Sequence, residues 1–194
     1  MLELWTIQTL PAWTTLQQLG VLRASREHAM EGLETAYRWM AAQMRLRLRA
    51  RPQRGALPLW AWAQWRGAAA ARPDLRSRTH LPTGARGVRL QFVLPADQVL
   101  LSDFLLWHFV SNGLYLARSR AEAAEFERKL ARAGLAGFVG GHLPNSDLRR
   151  AREQSWTRIF ELGGRPSRAK RSIQATFWEL PLSAVRVVDE FVAR

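Results

Sequence analysis

Two hydrophobic periods alternate irregularly along this 194-residue chain, and that alternation restricts its fold more than any single residue does. Apolar side chains recurring every second residue imply strands, and a 3.6-residue recurrence implies helices. Leu4 to Gln8 reads as a short strand, and Pro11 then suits the first turn of a helix that runs to about Leu19 and stops at Gly20. Val88, Leu90, Phe92 and Leu94 alternate with Arg89, Gln91 and Val93 in a half-buried strand closed by Pro95. Val99 to Leu101 predicts a second short strand. Ile173 to Leu180 predicts another, with Gln174, Thr176 and Trp178 on one face and Ala175, Phe177 and Glu179 on the other.

The helical segments fall between and around these strands. Ser25 can cap a helix that sets Met30, Leu33, Tyr37, Met40 and Met44 opposite Arg38, Arg45 and Arg49 until Pro52 ends it. Ser102 or Asp103 can cap the apolar stretch Phe104 to Asn112. Ser119 to Arg132 is an amphipathic helix with Ala123, Phe126 and Leu130 inward, and residues 148 to 160 continue the pattern. Ser183 is expected to open a final helix to about Ala193. Gly134 to Asn145 reads as a loop, and Gly163 to Arg171 as a basic linker. The order shows neither βαβ regularity nor an internal repeat. It predicts one α+β domain over residues 1–194, with a small mixed or antiparallel sheet gathering the strands near residues 4, 90, 100 and 176 under a helical layer.

Composition narrows the chemistry. The absence of cysteine excludes thiol nucleophiles, disulfides and Cys-ligated zinc. No apolar run approaches the roughly 20 residues of a membrane span, and the start lacks signal-peptide character, so a soluble cytoplasmic protein without a membrane partner is expected. No phosphate-binding glycine loop, dinucleotide fingerprint, nucleophile elbow or paired-histidine zinc motif occurs. His28, His80, His108 and His142 are isolated from one another, and no metal site is expected.

The net charge of +13 is concentrated: Arg38 to Arg89 holds twelve arginines and one acid, Asp74, or +11. Only Lys129 and Lys170 are lysines, and codon bias toward Arg is one reading of that preference. It does not account for the clustering. Residues 52–87, rich in Pro, Gly, Arg and Ala, read as a long basic excursion with a Trp-rich element at Leu59 to Trp65. Arginines interleaved with Trp39, Trp60, Trp62 and Trp65 supply guanidinium forks for phosphate and indole faces for unstacked bases, so a nucleic-acid partner, DNA or RNA, is expected. Arg45, Arg47, Arg49, Arg51, Arg54, Arg66, Arg72 and Arg76 are the candidate phosphate contacts. A solvated arginine face over core tryptophans is the competing reading, and an acidic protein partner is a third.

Polar residues set among aromatics form the candidate pocket. Asp103, His108 and Glu179 are the candidate catalytic groups, because a His of shiftable pKa beside polar partners can move protons. Trp5, Gln8, Tyr37, Gln43 and Asn112 are the candidate small-molecule contacts. Against this stand bland roles: Asp103 as a helix cap, His108 as a packed ring, Glu179 as an edge-strand acid.

The words LWTIQ, AYRWMAAQM (36–44), PLWAW (58–62), RPDLR (72–76), LLSDFLLWH (100–108), SWTRIF (155–160) and QATFWEL (174–180), in this order, resemble a bacterial family of the DUF-3841 type along nearly the whole chain. That resemblance implies a single-domain protein and imports no activity. More weakly, the order of elements is similar to small ADP-ribosyltransferase-like folds, in which a split sheet holds a nicotinamide dinucleotide and a late-strand acid orients the ribose. The likeness implies NAD as cofactor, Glu179 as that acid and a nucleic-acid base as acceptor. Thr6 and Gln8 stand where such folds carry a first-strand His or Arg.

Overall fold

The structure, a computed structural model, describes residues 1–24, 32–50, 52–53, 55–164 and 166–194. Ser25, His28, Met30, Arg51 and Arg54 lie outside the described residues. The chain begins with β1 (Leu2–Thr9) and α1 (Leu10–Leu19), where the Thr9 side chain accepts from Ala12 N. Gly20, at φ 72°, closes α1 by donating its N–H to Leu16 O, a conformation that costs glycine no Cβ clash. Then come β2 (Val21–Arg23), α2 (Glu34–Arg47), β3 (Leu59–Gln64), β4 (Arg86–Leu94) and β5 (Leu100–Asp103). Next are α3 (Phe104–Ser111), α4 (Arg120–Arg132), α5 (Ser146–Ser155), β6 (Ile173–Phe177), β7 (Glu179–Pro181) and β8 (Val185–Val192). A 3₁₀ turn, Trp156–Phe160, continues α5.

Six strands form one antiparallel sheet in the order β5-β6-β3-β1-β4-β8, and β2 pairs with β7 in a second, two-stranded sheet. The fold class is α+β, as the alternating periods imply. The strands near residues 4, 90, 100 and 176 all belong to the large sheet. Two further members join them. The Trp-rich element is β3, set between β6 and β1, with Leu59 and Ala61 in one core cluster and Trp60 packed against another.

The other is β8, and here the expected final helix is corrected. Ser183 lies in a 3₁₀ turn, Leu182–Ala184, and Val185–Val192 is an edge strand paired with Arg86–Phe92 of β4. Its run of valines suits a pleated surface better than a helix, and Arg89 lies opposite Asp189, a cross-strand charge pair that fixes the register. The long helix also ends earlier than Pro52: Leu48 is already extended. QATFWEL divides at Trp178, where the chain leaves the large sheet, and Glu179 pairs with Arg23 in the small one.

Each face of the large sheet buries its own layer. Leu4, Val88, Leu90, Phe92, Ala175 and Phe177 meet Leu16 of α1 and Leu22 and Leu180 of the small sheet. On the opposite face Met40 and Met44 of α2, Trp107 and Val110 of α3, and Trp156 and Ile159 pack over Leu100 and Trp60. A third cluster, Phe126, Leu130, Leu143 and Leu148, lies under α4 and α5. Glu122 ties it to the rest by accepting from Tyr115 Oη (2.8 Å), Arg158 Nη2 (2.5 Å) and Arg118 N (2.6 Å).

Those bonds, the Arg158 one foremost, hold the Glu122 carboxyl down at about 2, against an ordinary value of 4.5. Its stabilising effect is therefore complete above pH 4.5 and disappears as pH falls through about 2. Glu122→Gln is expected to lower the melting temperature at pH 7, and the gap from the parent should close progressively below pH 4.5 in thermal melts taken down to pH 2. A gap that stays constant with pH would show that the carboxylate charge contributes nothing.

Candidate functional site

The register of the large sheet brings together side chains that are far apart in the chain. Ser102 faces Gln174, Gln174 faces Trp62, Trp62 faces Trp5 and Trp5 faces Gln91, so these five form one row across five strands. The neighbouring row on the same face runs Leu100, Thr176, Trp60. Directly opposed residues on one face are about 5 Å apart. Among the described residues six buried side-chain polar atoms have no hydrogen-bond partner, and four of them, Trp5 Nε1, Trp60 Nε1, Ser102 Oγ and Gln174 Oε1, belong to these two rows. Each such atom costs roughly 1–3 kcal/mol when left unsatisfied.

Above part of this strip opens a cleft of about 510 Å³. Trp60, Trp62 and Gln174 line it from the sheet, and Phe104 and Leu105 from the start of α3. Trp65, Arg66, Ser77, Thr79 and His80, from the segment after β3, and Ser172, just before β6, also line it. Trp62 meets Phe104 edge-on at 4.8 Å between centroids, and Trp65 lies 5.7 Å from His80. The Arg66 guanidinium lies over the Trp65 ring at 4.3 Å. His80 Nε2 meets Asp74 O at 2.9 Å, which anchors this segment to its own turn. The cleft thus combines aromatic walls, a floor with one unmet donor and one unmet acceptor, several hydroxyl residues and a cation.

The candidate catalytic residues are not gathered there. Asp103 is buried at the N-terminus of α3, where Oδ1 accepts from Leu105 N (2.9 Å) and Leu106 N (3.1 Å) and Oδ2 pairs with Arg171 Nη1 at 2.5 Å. Both oxygens are engaged. His108 is exposed, with its ring 4.9 Å from Phe104, and Asn112 caps the end of α3 by donating Nδ2–H to His108 O. Glu179 is half exposed and paired with Arg23 at 2.8 Å. It borders a different cleft of about 600 Å³, with Trp178, Ala50, Pro52, Gln53 and residues 55–57.

The candidate small-molecule contacts are likewise dispersed. Trp5 and Gln8 project from opposite faces of β1, and the Gln8 amide donates to Thr6 Oγ1 at 2.8 Å. Tyr37 packs 5.8 Å from Trp60, and burial pushes its phenol up. Gln43 Oε1 accepts from Arg47 Nε on the flank of α2. These five do not converge on one site, and as a set they do not fit a nicotinamide dinucleotide.

The arginine window divides between two regions. Arg45 and Arg47 lie near the end of α2, over Trp178 at 5.5 Å and Phe160 at 4.5 Å, with Arg49 exposed just beyond. In the other group Arg76 forks onto Asp74, and Arg72 and buried Arg89 share Asp189. The Arg76 fork pulls the Asp74 carboxyl down to about 2. Among the described residues no cluster of three or more His, Asp or Glu could hold a metal ion, and no helix is long and apolar enough to cross a membrane.

The model of the family described as Domain of unknown function (DUF3841) matches residues 3–186. The chain belongs to the DUF3841 family. No curated protein and no solved structure matches it. The DUF3841 match runs from β1 into β8 and includes every residue that lines the tryptophan cleft. Ser102, Ser77 and Thr79 were not among the sequence candidates for the site. Alternation places Gln174 beside Thr176 and Trp60 beside Trp62, yet only the strand pairing shows that these two sets adjoin.

With both oxygens of Asp103 engaged and its partner buried, Asp103→Ala is expected to lower unfolding stability by about 3–5 kcal/mol. Asp103→Asn, which retains the cap, should recover only a minor part, as read from denaturant unfolding midpoints. Near-parental stability of Asp103→Ala would remove the ion pair from the structural account.

Proposed function

We propose that this DUF3841 protein binds single-stranded nucleic acid, seating an unpaired base in the cleft between β3, β6 and α3. The observation that carries this reading is the coincidence of two unpartnered polar atoms, Gln174 Oε1 and Trp60 Nε1, with the aromatic walls of one cleft. A nucleobase offers both: a π-face to stack on Trp62 or Trp65, and an edge with donors and acceptors for the floor. Arg66, beside the Trp65 ring, would meet a flanking phosphate. Arg47, at the end of α2, and Arg49, just beyond it, provide a second basic segment for a longer strand.

The proposal is one of binding. Transfer of ADP-ribose is not part of it, because the Glu179 carboxylate is held by Arg23 and lies on another cleft than Trp60, Trp62 and Trp65. The test is titration with single- and double-stranded DNA and RNA at two salt concentrations. Single strands should bind in preference to duplexes. Trp62→Ala should weaken them about 5- to 150-fold, the worth of one stacked base. Arg66→Ala should weaken all sequences alike and reduce the salt slope by about one. Equal affinity of parent and Trp62→Ala would remove the cleft from the reading. Failure of any nucleic acid to bind at low salt, with capture of an acidic protein that polyanions displace, would replace it with a protein partner.

A further inference from the structure

Among the described residues three arginines are buried, and two of them are neutralised. Arg89, 7% exposed, pairs with Asp189 at 2.8 Å, and Arg171, 8% exposed, pairs with Asp103 at 2.5 Å. Arg152 is the deepest, at 2% exposed, and among the described residues no carboxylate lies within ion-pairing distance of it. Its Nη1 donates to Gly113 O and Gly141 O, both at 2.9 Å, and its guanidinium lies 5.2 Å from the centre of the Trp156 ring. Nε has no partner. Burial pushes the Arg152 pKa below its ordinary value, only partly opposed by the charge of Glu153. A buried cation is strongly unfavourable unless an anion accompanies it.

Arg152 lines a pocket of about 280 Å³ whose other walls are mainly apolar: Leu114, Tyr115, Phe126, Leu130, Phe138 and Leu143. Tyr115 and Phe126 stack at 4.0 Å between centroids. The segment 140–141 closes against 112–113 so tightly that a Cβ on Gly140, at φ 68°, would fall 2.5 Å from Asn112 O. That close approach sets the two carbonyls on one side of the guanidinium and occupies Nη1 alone. Nε, itself closed to solvent, is left without a partner.

We infer that this pocket binds a small amphipathic carboxylate, its aryl or short alkyl body among Phe126, Leu130 and Phe138 and its carboxylate on Arg152. One cation in an apolar cavity matches one negative charge on an apolar body. A phosphate dianion would find no second cation there, since the remaining charged lining residue is Glu127, exposed on α4. The pocket shares no lining residue with the tryptophan cleft, so the inference stands apart from the nucleic-acid reading.

The test is calorimetric titration of the full chain with 3-phenylpropanoate and hexanoate, each beside its uncharged alcohol. At least one carboxylate should bind saturably and about tenfold or more tighter than its alcohol, equivalent to 1.4 kcal/mol. Arg152→Met should erase that preference. Because Arg152 also joins two backbone segments, Ala123→Phe provides the second variant: Ala123 lines the pocket from α4, and filling it should abolish binding while the melting temperature stays close to the parent's. Absence of saturable binding by both carboxylates up to about 10 mM, equal binding of acid and alcohol, or undiminished binding by Ala123→Phe would each overturn the inference and leave Arg152 as a backbone staple.

Discussion

The arrangement of the cleft depends on one buried ion pair. Asp103 is the last residue of β5 and the cap of α3, so its carboxylate sets the direction in which that helix leaves the sheet. Arg171, which it holds, in turn donates from Nε to Pro166 O and from Nη2 to Gly163 O, fastening the segment that leads into β6. Phe104 N donates to Ser172 O beside it. Phe104, Leu105 and Ser172 are all cleft-lining residues, so one carboxylate positions a helix start, a loop and a wall. Removing one member of a buried pair strands the other, and this couples local chemistry to the shape of the site.

Much of the fold was legible wherever a local rule acts without competition. Gly20 after an amphipathic run, Asp103 before an apolar one, Ser119 before a charged helix and the strict alternation of Val88 to Leu94 each behave in the structure as their chemistry dictates. Legibility failed where tertiary pairing decides. Leu59–Gln64 is flanked by proline, glycine and arginine, which obscures the fact that Trp60 and Trp62 share a face in the middle of a sheet. Val185–Val192 carries enough polar residues to read as a surface helix, and its opposition to β4, settled by Arg89 and Asp189, is a long-range fact. Trp5 and Gln8 could have been separated by strand parity alone, since they are three residues apart and so face opposite ways.

For the site, tryptophan and arginine interleave in a stretch that supplies several walls of the cleft, but linear charge density overstates the cationic surface. Asp189 takes both Arg72 and Arg89, and Asp74 takes Arg76, so two acids absorb three of the arginines that appeared concentrated. Glu190 lies 3.5 Å from a fourth, Arg86. Only Asp74 falls inside the basic window; Asp189 and Glu190 arrive on β8, about a hundred residues later. A charge count over a window thus misses acids that the fold returns to it.

The position of β3 has a further consequence for how the chain acquires its form. It pairs with β6 more than a hundred residues downstream, so the centre of the sheet cannot close until residues near 177 are available. Contacts of such long range are formed late and at high loop-closure cost. During synthesis the Trp60 and Trp62 edge therefore waits unpaired through most of translation, a sticky apolar strand in a nascent chain. The arginines and glycines on either side of it keep that waiting edge hydrated and discourage its premature association with other chains.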